Sequence, residues 1–191
     1  MASPPEVARV LVDLAASRPP TLGDGRLVCI DGPAGSGKTT LAAAVAELTG
    51  AQVVHMDDLM RGWAGVTSTG PQLVSIAEPL AEGRPGSYHR FNWHLGRFDT
   101  QVPVPVAPWL VIEGVGSGNP VVADLVTVLV WVEVDDDLRL ARGLERDGRE
   151  MELHWRRFMS TEAGVFASSR SRERADVLVD GTGGAPPRVC Q

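Results

Sequence analysis

The sequence is poor in cysteine and lysine and has no long apolar run. Two cysteines among 191 residues exclude a disulfide scaffold. Cys29, inside the run Leu-Val-Cys-Ile, reads as a small buried hydrophobe, and Cys190 lies in a tail rich in proline and glycine. His55, His89, His94 and His154 do not combine with them at any zinc spacing, which argues against structural metal. The longest apolar stretch, Val121 to Val134, is broken by Asp124, Thr127 and Glu133, and falls short of the ~20 residues of a membrane helix. The opening MASPPEVARV carries no basic region followed by an apolar one, so no secretory leader is expected. The expectation is a cytoplasmic protein without a membrane partner. A net charge of −6 and the want of a basic stripe argue against nucleic acid. Of 18 cationic residues, one is lysine, Lys38.

What is present is enough apolar material for a core: 43% hydrophobic residues against 22% charged, a balance typical of one globular domain. Ser3-Pro4-Pro5-Glu6 followed by Val7, Val10, Leu11 and Leu14 predicts a helix that Pro19-Pro20 terminates. Leu27 to Ile30 predicts a buried strand, and residues 38–49, rich in Ala and Leu, a helix stopped by Gly50. Further strands are predicted over 51–55, 109–112, 127–134 and 176–179, with helices over 71–82, 135–147 and 151–167. Between residues 61 and 100 the pattern assigns little besides the 71–82 helix and an aromatic cluster at Tyr88 to Trp93. Short apolar strands alternating with helices predict a three-layer α/β domain over residues 1–180, built on a mostly parallel five-stranded sheet. Residues 181–191 are expected to form a loose tail.

Gly32-Pro33-Ala34-Gly35-Ser36-Gly37-Lys38-Thr39 matches the phosphate-binding pattern G-x-x-x-x-G-K-[ST], with a strand before it and a helix after it. Glycines let the backbone curl so that successive N–H groups, from Gly32 and Ala34 through Thr40, face a phosphate. The helix N-terminus adds its partial positive charge. Lys38, read here as a solvent-facing loop charge, would reach the β and γ phosphates, and the Thr39 hydroxyl would hold Mg²⁺. A compact ammonium suits this place better than a planar guanidinium.

Acids at the ends of other strands decide what such a loop is for. Asp57 and Asp58 follow the second strand and Glu113 the third, at the carboxyl ends where open α/β sheets bind ligands. Either aspartate would serve as general base toward an acceptor hydroxyl, and Glu113 would hold Mg²⁺ directly or through water. Arg139, Arg142 and Arg146, at i, i+3 and i+7, share one helix face. They read equally as a lid over phosphates or as a solvated face paired with Asp135, Asp136, Asp137 and Glu145.

In this order, GPAGSGKTT, the acidic pair, IEG, RLARGLERD and RADVLVDG resemble the uridine kinase and phosphoribulokinase-like branch of P-loop kinases, from about Arg26 to Gly181. The resemblance implies an ATP- and Mg²⁺-dependent transfer of phosphate to a small-molecule hydroxyl acceptor. It implies Asp57 as the base that also positions Mg²⁺, and Thr39 and Glu113 as the other metal-associated positions. Arg139 would contact nucleotide, and Arg142 and Arg146 would join Lys38 in catalysis, on a lid at about 135–150. Tyr88, Phe91, Trp93 and His94 are the expected acceptor wall. The chain departs from the family where nucleoside kinases place the aspartate that holds the ribose hydroxyls: the stretch GVTSTGPQLVSIAEPL offers none. The family's Tyr-Asp-aromatic segment reads Phe91-Asn92-Trp93 here. Uridine and cytidine are therefore expected to be poor acceptors. A nucleotide-binding regulatory ATPase and a kinase-like protein without a working acceptor site stay open as alternatives, as does association into a homo-oligomer.

Overall fold

The computed structural model describes residues 2–190. α1 (Pro4–Ala16) starts at a capping box in which Ser3 and Glu6 satisfy each other's polar groups. β1 (Arg26–Asp31) leads into the glycine loop and α2 (Lys38–Thr49). Then come β2 (Gln52–His55), the single turn α3 (Met56–Leu59), a 3₁₀ segment Trp63–Ser68 and α4 (Gly70–Ala81). β3 (Gly86–Asn92) and β4 (Arg97–Val104) form a separate antiparallel hairpin. β5 (Trp109–Glu113), β6 (Val128–Glu133), α5 (Asp136–Asp147), α6 (Glu152–Ser169), α7 (Ser171–Arg174), β7 (Val177–Asp180) and β8 (Arg188–Val189) complete the chain.

The main sheet runs β2-β5-β1-β6-β7-β8. Its first five strands are parallel and only β8 is antiparallel, so the five parallel strands expected from the sequence gain an added edge. Along β1 the side chains alternate between two cores, as the strand period of two requires. Val28 and Ile30 join Leu11, Ala15 and Val45 of α1 and α2 on one face. Leu27 and Cys29 join Leu73 and Ile76 of α4 on the other. Both faces are covered, which is why these strands are continuous apolar runs.

Two sequence expectations are corrected. The unassigned aromatic stretch is strand β3, whose Tyr88 sits in the main core. The tail is not loose. Arg188–Val189 pairs with β7, the Cys190 N–H donates to the Asp176 carbonyl (2.7 Å), and the Gly183 carbonyl accepts from the Ala2 N–H (2.9 Å). Among the described residues, no helix is long and apolar enough to cross a membrane.

Candidate active site

β1, β2 and β5 are neighbours, so their carboxyl ends bring the glycine loop, Asp57 and Glu113 to one edge of the sheet. The loop can turn there because Gly32, Gly35 and Gly37 have φ of 138°, 79° and 99°, values that L side chains rarely adopt. Gly35 also lies so near the next layer that a Cβ would be 2.7 Å from the Arg139 carbonyl. Asp31, wholly buried, accepts N–H groups from Gly32 (2.8 Å), Gly116 (2.8 Å) and Gly118 (3.0 Å). It ties the phosphate loop to the second glycine-rich loop, after β5. Burial raises its pKa, and these hydrogen bonds oppose the rise.

A cleft of about 400 Å³ opens beside the loop. Its polar side carries Lys38, Thr39, Asp57, Glu113, Arg146 and Asp147. Glu113 Oε1 accepts from the Thr39 hydroxyl (3.0 Å) and meets His55 Nδ1 (2.7 Å), a hydrogen bond that raises the His55 pKa. Asp57 is open to the cleft, yet surrounding protein displaces enough water to raise its pKa, while Lys38 acts in the opposite direction. Asp58 does not line the cleft; the Tyr88 hydroxyl lies 3.5 Å from its carboxylate. The geometry therefore separates the two aspartates that the sequence left as a pair.

Lys38 is not the solvent-facing loop charge expected from the sequence. It is the first residue of α2, only 6% exposed, and its Nζ donates to the Pro33 carbonyl (2.8 Å). Burial lowers its pKa, against the pull of Glu113, Asp31, Glu162 and Asp57. Ser36 is buried with its hydroxyl unpartnered, while Gly37 and Thr40 are exposed.

The three arginines of α5 have different surroundings. Arg146 lines the cleft and pairs with Asp147 (2.7 Å). Arg142 reaches the carbonyls of Gly35 (3.3 Å) and Gly181 (3.4 Å). Arg139 is buried and held by Asp136 (2.7 Å) and by Glu162, itself 1% exposed. Its guanidinium thus has two carboxylate partners and lines no part of the cleft, contrary to the nucleotide contact expected of it. The other oxygen of Glu162 accepts the Ala34 N–H (2.9 Å). α5 and α6 are thereby fastened to the phosphate loop.

Of the expected acceptor wall, only Trp93 lines the cleft. Tyr88 and Phe91 are core residues, and His94 is exposed in the hairpin turn. The apolar wall is instead Met60, Trp63, Val115, Met151, Trp155 and Phe158 beside Trp93. Trp63 is its hub, edge-on to Trp93 (5.9 Å), Trp155 (6.3 Å) and Phe158 (5.4 Å) between ring centroids. The signal for α6 was in the sequence: Trp155, Phe158 and Glu162 stand at i, i+3 and i+7, one helix face. What that face meets is decided by packing. Gly143 of α5 gives the Trp155 indole its room, since a Cβ there would overlap the ring.

On the far side of the loop a cavity of about 350 Å³ is lined by Gly35–Gly37, Thr40, Leu41, Arg142, Gly181–Gly183, Pro4 and Val7. No group of three or more His, Cys, Asp or Glu is placed to hold a metal among the described residues. Thr39 and Glu113 nevertheless present oxygens together on the cleft floor, with Asp57 in the same cleft. That suits Mg²⁺, which takes one or two carboxylates and completes its shell with water and substrate phosphates.

No protein-family model matches the chain. A uridine kinase from Lactobacillus helveticus (strain DPC 4571) is 25% identical over 179 residues, covering 80% of this chain and 85% of the relative. Among solved structures, a possible uridine kinase from Bacillus stearothermophilus superposes with a TM-score of 0.65 at 19% identity, over 92% of this chain and 98% of that one. A protein assigned as a fructose transport system kinase from Silicibacter sp. TM1040 gives 0.58 at 22% identity, over 92% and 96%. At these identities the two structural likenesses show a shared fold: the chain has the three-layer α/β architecture of kinase-named proteins, with its phosphate-loop motif at the carboxyl edge of a parallel sheet.

Proposed function

We propose that the chain is an ATP- and Mg²⁺-dependent small-molecule kinase that transfers the γ-phosphate to an alcohol. The observation that carries this reading is the convergence of Lys38, Thr39, Asp57 and Glu113 on one cleft beside the glycine loop. An ATPase that passes phosphate to water needs the loop and a carboxylate but no apolar wall beside them, whereas this cleft carries one in Met60, Trp63, Trp93, Trp155 and Phe158. The loop amides from Gly35 to Thr40 bind the phosphates, and the cavity beside Gly181–Gly183 receives the nucleoside part. Lys38 offsets charge on the transferring oxygens. Thr39 and Glu113, with Asp57 alongside, would hold Mg²⁺, which would supply further neutralisation of phosphate charge. Asp57, with a pKa raised by its crowded setting, accepts the proton of the acceptor hydroxyl as it attacks. Arg146, at the cleft mouth, stabilises charge on the departing phosphates. The wall around Trp63 holds the acceptor and keeps water from competing with it.

The reading is tested by calorimetric titration with Mg-ATP and by acceptor-dependent ADP release. Lys38→Ala should abolish release and weaken Mg-ATP binding; unchanged turnover in that variant refutes the site. Failure of the native chain to bind Mg-ATP refutes the kinase itself.

A further inference from the structure

We infer that the acceptor is an alcohol with a flat apolar body, such as a hydroxymethyl-substituted aromatic ring, and not a nucleoside or a sugar. The inference rests on the kinase reading, and its support is the state of every carboxylate that lines the cleft. A ribose is held through its vicinal hydroxyls, which both donate to an acceptor, most readily a carboxylate with free lone pairs. Glu113 already accepts from Thr39 and meets His55. Asp147 accepts Arg146 Nε and Nη2 (2.7 and 2.9 Å) and the Trp155 indole N–H (3.0 Å). Besides Oε2 of Glu113, which the kinase reading reserves for Mg²⁺, Asp57 is left, and it faces the reacting hydroxyl. Asp58 is turned to Tyr88, and Glu78 and Glu82 of the α4 region are exposed away from the cleft.

The opposite wall is made for rings. Trp63, Trp93, Trp155 and Phe158, with Met60 and Met151, leave an apolar surface. Two of its three indole N–H groups are engaged inside the protein, Trp93 with the Asp57 carbonyl (3.3 Å) and Trp155 with Asp147. Aromatic side chains bind flat groups by face and edge contact, and methionine adapts to their outline. A hydroxyl-rich acceptor placed there would lose its water without replacement hydrogen bonds. An aromatic alcohol leaves its ring against this wall and its single hydroxyl beside Asp57.

Full-length protein is titrated with benzyl alcohol, 3-pyridinemethanol, uridine, choline and glycerol, first without nucleotide by tryptophan fluorescence, then with Mg-ATP by ADP release. Both aromatic alcohols should quench fluorescence and be turned over with kcat/KM at least roughly tenfold above uridine, choline and glycerol, the discrimination expected of one good aromatic contact. Trp63→Ala should raise KM for the aromatic alcohols by about tenfold and leave the affinity for Mg-ATP as it was; Trp63→Phe, which keeps a ring, should recover most of the loss and controls for misfolding. Uridine, choline or glycerol equal to or better than the aromatic alcohols overturns the inference, as does absence of quenching by either aromatic alcohol. Quenching by the aromatic alcohols without ADP release, in protein that binds Mg-ATP, overturns the kinase reading and leaves the ring-binding cleft standing.

Discussion

Glu162 is the residue on which the attachment of α5 and α6 to the phosphate loop depends, and its removal has a calculable consequence. In Glu162→Ala the buried Arg139 guanidinium keeps only Asp136, whose carboxylate is 77% exposed, and the Ala34 N–H loses its acceptor. Breaking a buried pair from one side costs about 3–5 kcal/mol. The orphaned amide adds little to this, because Ala34 is half-exposed and water can reach it. At about 2–4 °C per kcal/mol for a chain of this size, thermal unfolding should occur roughly 6–20 °C lower. Glu162→Leu combined with Arg139→Met removes both charges and should recover most of that stability. It should not recover Mg-ATP affinity, since the loop is no longer tied to α6 through Glu162. Differential scanning calorimetry and nucleotide titration measure both quantities. A loss below about 1 kcal/mol in Glu162→Ala, the level of an exposed ion pair, or a double variant as unstable as the single one, refutes the argument.

Asp57→Asn should cut phosphoryl transfer roughly 10²-fold or more, the usual order for a general base, with Mg-ATP binding retained; Asp58→Asn should do much less, and steady-state rates in the reverse order would show that the base was misassigned. Gly143→Ala gains about 1 kcal/mol of helix propensity, but its methyl group overlaps the Trp155 ring, an overpacking that costs about 1–3 kcal/mol. The variant should melt lower than the native chain and bind benzyl alcohol more weakly; a higher melting temperature would show that α6 can retreat freely.

The glycine loop between β1 and α2 was legible in the sequence because it is a local device. Gly32 to Thr39 lie on consecutive residues, and the backbone angles their chemistry needs are properties of glycine itself. Most of the parallel strands were legible for a related reason, since burial on both faces leaves short β-branched apolar runs too short for a helix, as in Leu27–Ile30 and Val128–Val132. Glu113 could be picked out as an acid at the end of such a run. The hairpin of β3 and β4 was not legible, because its exposed residues break the apolar pattern, and neither was the β8 edge, two residues long. Nor could spacing distinguish Asp57 from Asp58, or part Arg139 from Arg146. Neighbours in sequence on one turn or one helix face differ only in what the rest of the chain places opposite them. Tertiary structure set Trp63, Trp93, Trp155 and Phe158 around one cleft from three separate segments, and turned Tyr88 and Phe91 into the core. It also buried Glu162 against Arg139 and Ala34. Side-chain contacts between segments depend on how helices and strands pack, and residue order carries no local record of that.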